Sequence, residues 1–345
     1  PTEGSLSGRN LIINGDMRIA QRSTAAHNEG TGYFALDRWR QEKANQDQFT
    51  YSVEQVSDGP SGFSKCLRVT TSTAETALAS DEFGRIQQII EGNNLERIGF
   101  GTADAKPFTL SFYVKSSVTG NYAVSFYVAD ANVIYNKAYT INTANTWEYK
   151  TLTFPAYTTA GPTIDNTAGL TLNFGLFAGS AKTTVTTNWT SYTQAYLFGG
   201  QTANLAATLN SSWRITGCQL EVGSQASPFE HEPVGVTLSK CQRYFQHHQG
   251  DYYTIFLNGS IDTTSAYLSG PLTQVMRAKP SFSTANCYLY ARPTGTLTYT
   301  STENRCSTDF ATIGFSGISG SISNSAGMRF ESNNSNGYVR YDSEF

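Results

Sequence analysis

Two stretches in which apolar residues recur at period two, FTLSFYVKS over Phe108–Ser116 and NYAVSFYVA over residues 121–129, stand only a short Gly-containing link apart. A period of two sends successive side chains to opposite faces of a strand, which a helix cannot satisfy. Two such runs around a short loop containing Gly120 predict a β-hairpin. The pattern returns in NTWEYKTLTF (residues 145–154), LTLNFGLF (170–177) and SWRITGCQLEV (Ser212–Val222). Strands at these intervals predict a two-sheet sandwich with one shared core and polar outer faces. Residues 10–17, NLIINGDM, read as a short apolar strand closed by an Asn14-Gly15-Asp16 turn. Within residues 74–98 a strand at 85–90 is preferred to a helix.

Helical periodicity is scarce and clearest over residues 237–246, where Val236, Cys241, Tyr244 and Phe245 fall near one face and Pro233 and Gly235 mark a start upstream. Beyond it come short β-like runs at 252–257, 265–272, 281–290, 296–300, 311–315 and 337–341. A chain of 345 residues exceeds the size at which single cores stop growing, about 250–300 residues. The expected organisation is an N-terminal arm (1–9), a β-sandwich domain (10–232), a linker helix (233–248) and a C-terminal β domain (249–345). The fold class is all-β.

Lys and Arg number 24 against 27 Asp and Glu, a net charge of −3, so no long-range positive field draws phosphates. The groups Arg18/Arg22 and Arg38/Arg40/Lys43 are too small to reverse this, and nucleic acid is not an expected partner. No apolar run reaches the roughly 20 residues of a membrane span, and residues 1–9 do not resemble an export signal. Five dispersed cysteines without a C-x-x-C pair predict neither a disulfide framework nor a zinc site and suit a reducing cytoplasm. Asp81/Glu82 and Glu91/Glu96 have no arrangement expected of an acid–base pair. Gly99-Phe100-Gly101 lacks the lysine of a phosphate loop, and there is no Gly-x-Ser-x-Gly elbow. The expectation is a non-enzymatic protein without a cofactor.

Three segments carry a family resemblance. Residues 10–21 (NLIINGDMRIAQ) with Asp37-Arg38-Trp39 resemble the start of a group of bacteriophage tail-fibre-like and other virion structural proteins. Gln219-Leu220-Glu221-Val222-Gly223, Pro228-Phe229-Glu230 and Cys241-Gln242-Arg243-Tyr244-Phe245 resemble the segment that closes their first domain. FTLSFYVKSS and NTWEYKTLTF look like middle strands of carbohydrate-binding-module jelly rolls. The resemblance implies a jelly-roll β-sandwich joined by a short helix to a smaller C-terminal β-sandwich domain. It also implies a homotrimer built into a virion assembled in the host cytoplasm, among other virion proteins. Attachment to host surface carbohydrate as a tail-fibre or receptor-binding component is the leading expectation; the alternative is a capsid decoration protein. Asp37-Arg38-Trp39 itself reads as a strand edge with Trp39 in the core.

Sugar recognition needs aromatic faces together with amide, hydroxyl and carboxylate groups. Residues 188–196, NWTSYTQAY, supply Trp189, Tyr192 and Tyr196; residues 247–253, HHQGDYY, supply Tyr252 and Tyr253. These are the candidate glycan-binding residues. Related jelly rolls often hold a structural calcium, for which Asp16 and Glu221 are the candidate ligands, although six to eight oxygens are wanted. His247, His248 and Asp251 form a weaker metal candidate, since adjacent residues point apart on a strand.

Overall fold

The computed structural model describes residues 8–27, 30–44, 49–250, 255–261, 265–291, 295–297, 299, 301–316, 318–319, 328–332 and 336–345. Packing divides the chain into two units, residues 1–237 with Phe345 and residues 238–344. The architecture is all-β: a jelly-roll β-sandwich, a short connecting helix and a smaller C-terminal β-sandwich.

Among the described residues the first unit contains β1 (Ala25–His27), β2 (Arg40–Ala44), β3 (Thr50–Val56), β4 (Cys66–Thr73), β5 (Phe83–Glu91), β6 (Phe108–Ser116), β7 (Gly120–Val128), β8 (Val133–Ile141), β9 (Glu148–Phe154), β10 (Ala168–Ala178), β11 (Thr190–Ser191) and β12 (Ser212–Val222). They form two antiparallel sheets, ordered β1-β3-β4-β12-β6-β9 and β11-β8-β7-β10-β5-β2. Phe108, Leu110, Phe112 and Val114 of β6 enter the core from one sheet, and Tyr122, Val124, Phe126 and Val128 of β7 enter it from the other. Phe112 meets Phe174 edge-on with ring centroids 5.2 Å apart, and Phe108 meets Phe126 at 5.1 Å. Interdigitated rings of this kind pack together with the aliphatic side chains of both sheets in one core.

That arrangement corrects the expected β6–β7 hairpin. β6 pairs with β12 and β9, whereas β7 pairs with β8 and β10. Both apolar faces must reach one core from opposite sides, so the link turns a corner between sheets. Gly120 takes φ 119° there, and Ser116 Oγ meets Tyr122 Oη at 2.9 Å. The hairpin in this region is β7–β8, closed at Asn132 with φ 48°.

Residues 10–17 form turns in place of the expected strand. Asn10 Oδ1 accepts from the backbone N–H of Ile12 and of Leu220, both at 3.0 Å, and Asn10 Nδ2 donates to Cys218 O at 3.1 Å. Local side-chain bonds of this type compete with ladder formation. The segment is strapped against a bulge in β12 between Thr216 and Gln219. A Cβ on Gly15 would sit 2.1 Å from Cys218 O, so only glycine fits. Trp39 is buried as expected and donates through Nε1 to Asn14 O at 3.0 Å. Asp37, also buried, accepts from Gln21 N at 2.8 Å; burial pushes its carboxyl above the usual range, against the pull of the Gln21 bonds.

The turn before β9 has its own anchor. Glu148 Oε1 accepts from Asn142 N and Thr143 N at 2.8 Å each, and Oε2 accepts from Asn142 Nδ2 at 3.0 Å and Lys150 Nζ at 2.6 Å. Burial raises this carboxyl, but the bonds from Lys150, Thr143 and Asn142 outweigh it and hold the pKa at about 2, below the ordinary 4.5. A depressed folded-state pKa stabilises above the unfolded value, and that contribution fades as pH falls from 4.5 toward about 2. Thermal melts should therefore show Glu148→Gln less stable than wild type at neutral pH, by about 1 kcal/mol after solvent screening. The gap should close on acidification; a gap independent of pH would contradict this account.

The connecting helix α1 spans Val234–Gln242. The second unit then contains β13 (Phe245–Gly250), β14 (Ile255–Ile261), β15 (Ser265–Pro271), β16 (Ser281–Ala285), β17 (Cys287–Ala291), β18 (Gly295–Leu297), β19 (Ser301–Asn304), β20 (Phe310–Ser316), β21 (Met328–Ser332) and β22 (Gly337–Asp342). A three-stranded sheet, β13-β22-β16, and a seven-stranded sheet, β18-β17-β21-β14-β15-β20-β19, share a core that includes Leu268, Leu289, Ile313, Phe330, Val339 and Tyr341. The helix expected over 233–248 is thus shorter. Gln246 Nε2 donates to Gln242 O at 3.1 Å and to Gln274 O at 2.8 Å, occupying a terminal helix carbonyl, while β13 pairs along β22. The single run expected at 281–290 is also two strands in different sheets, broken at Asn286 with φ 51°.

Candidate functional site

Pairing register decides which polar residues share the outer face of the second sheet. Glu42 on β2 lies opposite Arg85 on β5, and Arg40 lies opposite Gln87. Gln87 faces Asn173 on β10, Asn173 faces Ser125 on β7, and Thr171 faces Tyr127. The neighbouring positions Ile86, Leu172, Phe174, Val124 and Phe126 fill the core, so this set points the other way.

The face is a connected network. Glu42 Oε2 accepts from Arg40 Nη1 at 2.8 Å and from Arg85 Nη2 at 2.9 Å. Arg85 Nη1 donates to Asn173 Oδ1 at 3.0 Å, and Asn173 Nδ2 reaches Ser125 Oγ at 3.2 Å. Gln87, Asn173 and Ser125 are buried and form a floor; above them the side chains of Arg40, Glu42 and Arg85 are 24%, 17% and 14% exposed. Arg85 Nε has no hydrogen-bond partner among the described residues. Tyr192, just after β11, packs on Tyr127 with ring centroids 4.4 Å apart. Burial raises the Tyr192 hydroxyl pKa, while the nearby Arg85 charge opposes the shift and Tyr127 and Glu42 add to it. Two half-buried tyrosines thus stand beside two guanidiniums and a carboxylate, with amides beneath: one apolar ring surface and several directional polar groups within one patch.

Of the residues singled out from sequence, Tyr192 lies in this patch. Tyr196 packs nearby against the cluster of Phe83, Ile134, Leu197 and Phe198, and its carbonyl accepts from Asn136 Nδ2 at 2.7 Å. Trp189 turns to the opposite side. Its ring packs against Phe100, Tyr135 and Tyr157 at 5.6–5.8 Å, and Nε1 donates to Pro155 O at 2.9 Å, which makes it a core-rim residue. Tyr252 and Tyr253 lie outside the described residues, as does Asp251. Arg40, Glu42, Arg85, Asn173 and Tyr127 were not singled out. The available signal was the i, i+2 spacing of Arg40 with Glu42 and of Arg85 with Gln87, which places each pair on one strand face.

The metal candidates have protein partners. Asp16 pairs with Arg18, while Glu221 Oε1 accepts from Ser227 N at 2.8 Å and Oε2 from Ser227 Oγ at 2.6 Å. Among the described residues no group of three or more His, Cys, Asp or Glu side chains is placed to hold a metal ion. His247 packs against Tyr338 and His248 against Tyr341, and both border a 360 Å³ cavity with Phe256, Leu257, Pro271 and Val339. Burial, with a smaller contribution from His247, lowers the His248 pKa. Among the described residues, no helix is long and apolar enough to cross a membrane.

No protein-family model matches the chain. No curated protein matches it in sequence. Among solved structures, the enzymatically active domain of tailspike protein 4 from bacteriophage CBA120 is similar at 14% identity and TM-score 0.34, over 62% of this chain and 21% of that one. The chain thus spans only a minor part of that tailspike domain. The carbohydrate-binding module TmCBM61, in complex with β-1,4-galactotriose, is similar at 9% identity and TM-score 0.33, over 62% of this chain and 99% of the module. A family 11 carbohydrate-binding module from Clostridium thermocellum, in complex with a β-1,3-1,4-mixed-linked tetrasaccharide, is similar at 10% identity and TM-score 0.28, over 61% and 99%.

Proposed function

We propose that the jelly-roll unit binds carbohydrate on the outer face of its second sheet, without chemistry, as part of a phage tail-fibre or receptor-binding protein that attaches to host surface glycans. The observation that carries the binding reading is the joining of Tyr127 and Tyr192 to the Arg40–Glu42–Arg85 network by strand register. A sugar ring can lie on a tyrosine face while its hydroxyls exchange bonds with guanidinium and carboxylate groups.

The virion reading draws support from the segments resembling phage proteins, which meet in the fold. Asn10 N donates to Glu230 Oε2 at 2.9 Å, Glu230 N donates to Gln219 Oε1 at 2.8 Å, and Asn14 Nδ2 donates to Asp37 O at 3.0 Å. Homotrimer formation would multiply weak sugar contacts through avidity.

Glycan-array binding by the full chain tests the face. Tyr192→Ala should lower the wild-type signal at least about tenfold by removing one stacking surface. Equal signals from a folded variant would eliminate the site. Immunogold labelling should mark particle tails; head labelling would favour capsid decoration. Light scattering should give a trimer, and incubation with host polysaccharide should release no reducing ends.

A further inference from the structure

The outer face of the first sheet carries a separate cluster. Lys115 on β6 lies opposite Arg214 on β12, and Arg214 lies opposite Arg68 on β4. Three cations therefore stand side by side across three hydrogen-bonded strands, an arrangement that weakens a ladder unless countered. Asp58 Oδ2 lies 2.8 Å from Lys115 Nζ and 3.1 Å from Arg214 Nε, and Glu54 Oε2 accepts from Arg68 Nη2 at 2.7 Å. Two carboxylates answer three cations, which leaves one positive charge in the row.

An aromatic row runs beside it. Tyr149 on β9 lies opposite Tyr113 on β6 with ring centroids 4.9 Å apart, and Phe63 stands 5.4 Å beyond Tyr113. Trp147, two residues before Tyr149, has Lys115 Nζ over its ring at 5.3 Å. Tyr149 is 47% exposed, while the core beneath is filled by Phe112 and Val114. A row of tilted rings that ends on the exposed Tyr149, beside an undercompensated cation row, matches a ligand that is both cyclic and anionic.

We propose that this face is a second carbohydrate-binding platform, selective for acidic polysaccharide. A sugar ring stacks on Tyr149, and the sugar carboxylate meets Lys115 and Arg214. The protein's net charge of −3 repels a polyanion at long range, so binding requires this local arrangement. The site is on the sheet opposite Tyr192 and does not depend on the face proposed above.

Affinity electrophoresis of the full chain through gels containing sodium polygalacturonate, or neutral dextran, tests the assignment. Polygalacturonate should retard the wild type and dextran should not, and raised salt should weaken the retardation. Tyr149→Ala and Lys115→Gln should each weaken it about tenfold, with Tyr192→Ala unchanged. Tyr149 is exposed enough that its variant should melt with the wild type. No retardation by polygalacturonate, equal retardation by dextran, or wild-type behaviour of Tyr149→Ala would overturn the proposal. So would a change in sedimentation of Tyr149→Ala with retardation intact, which would mark the face as a protein interface.

Discussion

Replacing Asn14 by alanine should destabilise the jelly-roll unit by about 3–5 kcal/mol, measured as a lower midpoint of chemical unfolding of the full chain. Asn14 is 2% exposed, and its side chain satisfies three backbone groups at once. Nδ2 donates to Ile19 O at 2.9 Å and to Asp37 O at 3.0 Å, while Oδ1 accepts from Ile19 N at 3.0 Å. Each group left unpaired in a buried setting costs about 1–3 kcal/mol, and water refilling the gap offsets part of the sum. Asn14 also holds φ 58°, a left-handed conformation that alanine adopts at a cost of about 1–2 kcal/mol. Glycine separates the two contributions. Asn14→Gly relieves the backbone strain and loses the same three bonds, so it should recover only about 1 kcal/mol relative to Asn14→Ala. A glycine variant as stable as wild type would show that the side-chain bonds contribute nothing.

The same residue shows what could be read in advance. The Asn-Gly-Asp turn was legible because Asn and Gly tolerate positive φ, but the flanking residues were misread as a strand. The bonds that bend them run to Leu220 and Cys218, more than 200 residues away in sequence. Strands β6, β7, β9, β10 and β12 announced themselves by alternation; alternation says which side faces inward, not which strand lies alongside. Hence β6 and β7 were paired in expectation and lie in opposite sheets in fact. Site residues divide in the same way. Tyr192 was visible as an aromatic in a polar stretch, as was Trp189, yet local sequence does not reveal which ring faces the core. Arg40, Glu42 and Arg85 form a network because β2 pairs with β5 in one register, a non-local fact.

That register supplies the second large effect. Glu42→Leu should destabilise the jelly-roll unit by about 2–3 kcal/mol in low salt, because one carboxylate oxygen counters the charge of both arginines, whose other partners, Gln87 and Asn173, are neutral amides. Arg40 Nη1 and Arg85 Nη2 lie 2.8 Å and 2.9 Å from Glu42 Oε2, so the guanidiniums stand within about 6 Å of each other. With Glu42 ionised the cluster carries one net positive charge; without it, two like charges remain, held by strand pairing and partly shielded from solvent. At an effective dielectric constant of about 20, their repulsion is about 3 kcal/mol at that separation. Relaxation of the long side chains lowers the sum, and loss of the two charge-assisted hydrogen bonds raises it. Two measurements identify the origin. The loss should shrink in 1 M salt, where the screening length is about 3 Å, and Arg40→Met introduced into Glu42→Leu should recover about half of it by removing one cation. A salt-insensitive loss, unchanged by Arg40→Met, would mean that Glu42 acts through packing alone. Glu42→Gln keeps the side-chain shape and one acceptor oxygen, and should fall between wild type and Glu42→Leu in stability.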